Sequence, residues 1–342
     1  MTFYKKISLS LKKNPKKWLI TGVAGFIGSN LLERLLQLDQ YVVGIDNFVT
    51  GKRLNLLDVK KSISKSQWRR FRLVKGDICD YKLCLKYCKN IDYVLHQAAL
   101  GSVSRSIKYP IETHDVNSTG FLNILYACKN SKIKKIVFAS SSAVYGDHPG
   151  LPKTEKQIGT QLSPYAITKY TNEIYAAVFK KNYNFNSIGL RYFNVFGKRQ
   201  DPNSTYAAVI PLWVYSLIKN KKIFINGNKK ISRDFCYIEN VVQANILAAT
   251  SNFSSKNQIF NIAFGKKTTL IELFNILKKN LIKELPYVRK VNPIIRSYRK
   301  GDILHSLADI NLSKKYLKYN PKYSLSDGIK EYLAWYIAKN VN

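Results

Sequence analysis

Tyr165 and Lys169 stand four residues apart in Tyr165-Ala166-Ile167-Thr168-Lys169. On a helix that spacing puts a phenol and an ammonium on one face. A phenol of pKa about 10 is a poor base at neutral pH. A cation beside it favours the phenolate and turns the pair into a usable base. The spacing alone is common in structural helices. Ser140-Ser141-Ser142 strengthens it, because these hydroxyls follow an apolar run whose end would face the same edge of a sheet. Ligands of open α/β sheets bind at that edge.

A second group of residues could hold a nucleotide. Gly22-Val23-Ala24-Gly25-Phe26-Ile27-Gly28 places glycines at spacing three and three between an apolar run and an amphipathic stretch. Such a turn brings backbone N–H groups against a pyrophosphate, and its last glycine lets the helix pack closely on the strand. Asp46 ends the next apolar run, where a carboxylate accepts bonds from ribose hydroxyls and repels a 2′-phosphate. NAD is therefore expected over NADP, with Lys52 and Arg53 nearby as a counterweight. Asp77 could meet an adenine amino group or simply cap its loop. Gln97-Ala98-Ala99 supplies small residues where a cofactor would press on backbone.

The elements that must position these groups follow from periodicity. Short β-rich runs alternate with helical stretches, as in a parallel α/β sheet. Strands are predicted at 18–21, 41–45, 71–75, 92–96, 135–140 and 186–191, with helices at 27–38, 119–130 and 165–181. The fold class expected is a doubly wound parallel sheet of the Rossmann type with a smaller C-terminal substrate-binding lobe. Residues 1–195 would form the dinucleotide-binding domain and 196–342 mainly the substrate lobe, with a segment such as 239–250 returning to the first. The basic stretch from Lys52 to Arg72 reads as a connector, and 209–219, 269–281 and the tail from Asn311 as helical.

Composition narrows the classes. With 46% hydrophobic and 13% aromatic residues, the 342-residue chain is an ordinary globular one. No apolar run approaches a membrane span, and the lysine-rich first seventeen residues precede no signal-type segment, so a cytoplasmic protein without membrane insertion is expected. Cys79, Cys84, Cys88, Cys128 and Cys236 form no CxxC pair; with four scattered histidines they give no metal site. Cys84 and Cys88 read as small apolar side chains on one helix face. The net charge of +35 is spread along the chain in short lysine pairs rather than gathered in one arm. With abundant Lys, Asn, Ile and Tyr, this reads as compositional drift, with no nucleic-acid partner expected.

With these residues in view, the sequence resembles the extended short-chain dehydrogenases/reductases, through Thr21–Gly28, Asp46-Asn47, Ser140–Gly146 and Tyr165–Lys169. It is most similar to bacterial UDP-N-acetylglucosamine 4-epimerases, through 96–106, 145–149, 191–202, 206–211, 232–237 and 301–309. The resemblance runs from about Lys16 to the C-terminus. It implies that Tyr165 takes the proton from the sugar 4-hydroxyl while hydride passes from carbon 4 to NAD. Lys169 would hold the nicotinamide ribose and lower the Tyr165 pKa, and Ser141 would bond the 4-oxygen. Hydride would return to the other face after the keto sugar turns over, so the cofactor is recycled and tightly held.

The same resemblance carries cofactor contacts to Gly22, Ala24, Gly25, Phe26, Ile27 and Gly28, and to Asp46, Asn47, Phe48 and Gly51. Asp77 and Ile78, Gln97, Ala98 and Ala99, Asn117 and Tyr192 complete that set. On the substrate side it implies Gly101, Ser102, Val103, Ser142 and Gln200, with Asn194, Arg233 and Arg299 on the diphosphate. Asp302 falls on the uridine ribose; Ala208, Val209, Phe224 and Asn226 on the uracil slot. Planar guanidinium groups suit phosphate oxygens; the plainer alternatives are a surface ion pair for Arg233 beside Asp234 and a solvated face for Arg299 inside its basic run.

Ser306 matches a position where a bulky tyrosine restricts some epimerases to plain hexoses. A small residue there favours UDP-GlcNAc/UDP-GalNAc, with the corresponding uronates open. Sugar-nucleotide 4,6-dehydratases carry an acidic pair where this chain has Ser142 and Ala143, which disfavours that activity. A UDP-glucuronate decarboxylase, which shares the early steps, and a non-catalytic Rossmann protein binding a polyanion are the rival readings. The family's pairing through helices 119–130 and 165–181 implies a homodimer.

Overall fold

The computed structural model describes residues 1–203, 207–228, 230–252, 259–297 and 304–340. Seven parallel strands form the central sheet. Six follow in chain order: β1 Lys17–Thr21, β2 Tyr41–Asp46, β3 Phe71–Lys75, β4 Tyr93–His96, β5 Lys135–Ser141 and β6 Ser187–Tyr192. The spatial order is Ile259–Ile262, β6, β5, β4, β1, β2, β3. The chain winds outward from β1 to β3 and then returns to place β4 on the other side of β1. That reversal is the switch point at which open α/β sheets bind ligands. Register there is tight, with Thr21 opposite both Ile45 and His96.

The strands read as unbroken apolar runs because helices cover both faces. All six residues of β6 are buried. The helix Phe26–Gln37 lays Leu31, Leu32, Leu35 and Leu36 on the sheet. The long helix Pro164–Tyr183 starts where Ser163 accepts the Ala166 N–H and Pro164 takes a first-turn position, and ends at Asn184 in the left-handed region. The helix Ile238–Thr250 is almost wholly buried and packs on Phe26–Gln37 and on β4, β5 and β6.

Several elements go beyond what periodicity predicts. The helix Phe3–Lys13 docks through Ser8 and Leu11, and Gln40 Nε2 donates to the Leu11 carbonyl. Its lysine-rich face hides a narrow apolar stripe. The connector from Lys52 holds a helix, Arg53–Ser62, and a turn capped by Ser64 and Gln67. The seventh strand, Ile259–Ile262, comes from the second half of the chain. Beyond β6 the described residues form small two-stranded pieces, Phe224–Asn226 with Ile294–Arg296 and Ser232–Asp234 with Lys267–Thr269. Asp234 anchors them: its carboxylate accepts N–H bonds from Phe264, Gly265 and Ala308. Cys84 and Cys88 are buried on the helix Tyr81–Cys88, and all five cysteines are free thiols. No helix of the described residues is long and apolar enough to cross a membrane.

Candidate active site

A cleft of about 670 Å³ opens at the carboxyl ends of β1, β2, β4 and β5. Gly22 holds φ +69° at the end of β1, and a Cβ there would sit 2.7 Å from the Ala98 amide nitrogen. Only glycine permits this approach of the two strand ends. The helix Phe26–Gln37 begins at Gly25 with no side-chain cap. Its first-turn N–H groups are thus available to an anion, and Gly25, Phe26, Ile27 and Gly28 all line the cleft. This cradle fits a dinucleotide pyrophosphate. The Asp46 carboxylate accepts from the Ala24 N–H at 2.8 Å and from the Phe48 N–H at 2.8 Å. It braces the glycine loop while still lining the cleft, and burial pushes its pKa up. Asp77 caps its loop, accepting the Cys79 N–H and the Asn47 amide, and also lines the cleft.

At the other end of the cleft lie Ser140, Ser141, Tyr165 and Lys169. Burial pushes the Tyr165 phenol above its ordinary value, and a hydrogen bond with Ser141 pulls it down. Lys169 Nζ donates to the Ala139 carbonyl at 2.9 Å and lies 5.8 Å from the Tyr165 ring centroid. Burial brings the Lys169 pKa down to about 8. The net effect on Tyr165 is a rise, which Ser141 offsets only in part, while the Lys169 ammonium is turned to the strand backbone. Ser141 Oγ also accepts the Ala143 N–H, capping the turn Ser142–Tyr145.

A second cavity of about 260 Å³ adjoins the first, sharing Asn194 and Val195. Ala208, Val209, Phe224, Asn226 and Arg233 line it, together with Trp213. Arg233 Nη1 donates to the Ser232 and Leu304 carbonyls, and the neighbouring Asp234 carboxylate points inward to backbone amides. These bonds hold the Arg233 guanidinium at the cavity wall.

Most of the expected residues converge. Asp46, Asn47, Gly51, Asp77, Ile78, Gln97, Ala98, Ala99, Gly101, Tyr192 and Gln200 line the first cleft. Others stand just behind it. Ala24 contributes its N–H to Asp46, and Phe48 donates to the same carboxylate. Asn117 binds the Leu100 N–H and carbonyl and Thr168, fixing the loop after β4. Ser102 caps the short helix Val103–Lys108, and Ser142 begins the turn after β5; none of Ser102, Val103 or Ser142 lines either cavity. Ser306 donates its N–H to the Ser232 carbonyl beside Arg233, also outside both linings. Arg299 and Asp302 lie outside the described residues.

Sequence reasoning missed the supports. His96 Nδ1 shares a 2.8 Å bond with Thr21 Oγ1, which also accepts the Ala98 N–H. Burial and the Lys169 charge hold the His96 pKa down to about 3, so the ring is neutral. Asn245 joins Gln97 and Tyr192 in one amide–phenol network. Glu173, four residues beyond Lys169, forks onto Arg191. The i, i+4, i+8 spacing of Tyr165, Lys169 and Glu173 was the one available signal.

Known proteins agree with this geometry. Residues 18–263 match the model of the NAD dependent epimerase/dehydratase family. A putative UDP-glucose 4-epimerase of Methanocaldococcus jannaschii is 35% identical over 93% of this chain and 97% of its own length. The UDP-N-acetylglucosamine 4-epimerase of Methanobrevibacter ruminantium M1, solved with UDP-N-acetylmuramic acid, superposes with a TM-score of 0.86 at 37% identity, covering 95% of this chain and 99% of that one. The UDP-glucuronic acid 4-epimerase of Bacillus cereus, solved with UDP-glucuronic acid and NAD, gives 0.82 at 29% identity, covering 93% and 98%. The cofactor of this chain is NAD. With a glycine cradle, a Tyr–Lys–Ser set and likeness over nearly its whole length, the chain belongs to the NAD dependent epimerase/dehydratase family.

Proposed function

We propose that this chain is a UDP-sugar 4-epimerase whose preferred pair is UDP-N-acetylglucosamine and UDP-N-acetylgalactosamine. One observation carries the reading: the cleft holding Tyr165, Lys169 and Ser141 adjoins, through Asn194 and Val195, a separate cavity walled by Phe224, Asn226 and Arg233. A sugar placed at the Tyr165 phenol would then have its nucleotide in the second cavity and its diphosphate at the junction. NAD would supply the hydride acceptor and donor at carbon 4. Tyr165 would take and return the 4-hydroxyl proton, Ser141 would orient the 4-oxygen, and Lys169, beneath Tyr165, would hold the cofactor ribose. Ser142 and Ala143, in place of an acidic pair, favour epimerisation over dehydration.

The N-acetylated substrate is supported by the likeness to an enzyme named for UDP-N-acetylglucosamine; names for glucose and glucuronate substrates also occur among similar proteins. The test is to incubate the purified protein with UDP-N-acetylglucosamine and follow UDP-N-acetylgalactosamine by anion exchange. An equilibrium mixture without added NAD is expected. No conversion, with UDP-glucose or UDP-glucuronate turned over instead, would reassign the sugar. A homodimer is part of the proposal. Ile167, Ile174 and Val178 expose an apolar stripe along the helix Pro164–Tyr183.

A further inference from the structure

We propose that Ser140 and the buried Glu173–Arg191 pair are positioning residues that set the placement of Ser141 relative to Tyr165 in the cleft wall. The inference rests on the Tyr165 role assigned above. Tyr165, Lys169 and Glu173 fall at i, i+4 and i+8 of one helix, so they share a face. Glu173 reaches strand β5, where its Oε1 accepts the Ser140 hydroxyl at 2.5 Å. It also reaches β6, where Arg191 Nε donates to Oε1 at 2.9 Å and Nη2 to Oε2 at 2.6 Å. The guanidinium is stacked 4.7 Å from the Tyr145 ring centroid and donates to the Glu155 carbonyl. The Tyr145 hydroxyl in turn donates to Asn261 Oδ1 at 2.6 Å. The helix bearing the base, the strand bearing the serines and the turn after them are thus pinned to one carboxylate.

The location of this pair argues for a positioning role. Its side chains are 3% and 4% exposed, and neither lines the cleft. Apolar residues of similar volume would hold the helix to the sheet about as well as a desolvated ion pair. What they would lack is direction, since a bidentate fork fixes both separation and orientation. Ser140 and Ser141 are consecutive, so holding the first fixes the backbone that places the second beside Tyr165 in the cleft wall.

The experiment compares the full-length protein with its Ser140→Ala, Ser140→Thr and Glu173→Gln variants. It measures turnover of UDP-N-acetylglucosamine against pH and, separately, the Tyr165 titration, taken as the ultraviolet difference against Tyr165→Phe. Ser140→Ala removes one hydroxyl and leaves the ion pair. It is expected to lower kcat about tenfold with KM changed less than about twofold. The acid limb of the profile and the Tyr165 titration should both move to higher pH, because the Ser141 bond that favours the phenolate is loosened. Ser140→Thr, which keeps the hydroxyl, should recover most of the loss. An unchanged kcat and titration in Ser140→Ala would overturn the proposal, as would a Ser140→Thr variant as impaired as the alanine one. If Glu173→Gln does not fold, the Ser140 pair decides. The titration requires no turnover, so it tests positioning even where wild-type protein fails on every UDP-sugar, a result that would sink the activity instead.

Discussion

Tyr165 sits half-buried in the cleft wall, where the electrostatics oppose its task. Burial favours the neutral phenol, and it also favours the neutral amine of Lys169, whose pKa falls to about 8. Ser141 is the contact that lowers the phenol, so base and hydroxyl work as a pair. Tyr165→Phe removes one oxygen and little packing. The variant should fold and retain NAD while turnover falls by about 10²–10⁴-fold, the worth of a placed general base. Turnover close to wild type would remove Tyr165 from that role. His96 gives a pH prediction. Its folded pKa of about 3 lies below the unfolded value of 6.5. The unfolded chain therefore binds the extra proton first, and folding stability falls as pH drops from about 6.5 towards 3, by up to about 1.4 kcal/mol per pH unit. His96→Gln should flatten that slope between pH 6.5 and 5 in urea titrations; an unchanged slope would mean that His96 is not the group responsible. The Tyr, Lys and Ser were legible because the chemistry fixes their types and spacing. His96, Asn245 and Arg191 were not, because their meaning lies in partners up to 148 residues away.

Helix and strand ends decide where these side chains meet. Gly28 is the sharpest case, since a Cβ there would fall well inside contact with the Gly22 carbonyl oxygen. The obstacle is backbone, which cannot swing aside as a side chain can. Gly28→Ala should push the helix Phe26–Gln37 off β1 and distort the N–H cradle. Protein so altered should purify with much less bound NAD, measured by releasing the nucleotide and quantifying it, and should melt at lower temperature. Wild-type NAD content would show that the loop tolerates the displacement. Strands β1 to β6 were readable from apolar runs, and the helix Pro164–Tyr183 from its period. The strand Ile259–Ile262 and the helix Phe3–Lys13 were not, because short or lysine-rich elements form only against a surface that other segments build.

At the scale of the whole molecule the question is what covers the exposed apolar surface. Ile167, Ile174 and Val178 are 52%, 48% and 43% exposed and lie at i, i+7 and i+11. That is a stripe of the kind that pairs with a second helix. A dimer is expected in sedimentation, and Ile174→Asp should shift it to monomer with the fold intact by circular dichroism. A wild-type monomer would leave the stripe without that purpose. The +35 charge gave no address for a partner, and the same surplus lies around the whole chain.

The sequence by itself determined the chemistry-bearing residues and the alternation that makes a doubly wound parallel sheet, since both are written in local spacing. The glycine turn, the Tyr–Lys pair and the apolar runs each express a constraint within a few residues. Tertiary structure alone decided how they meet. It joined two cavities at Asn194 and Val195, turned Lys169 toward the Ala139 carbonyl, and left Ser306 and Ser142 behind the walls rather than in them. It also brought Glu173, Arg191 and Ser140 to one point from three elements. The reason is physical: a buried polar group must find its partner wherever packing brings one, and no periodicity records that distance.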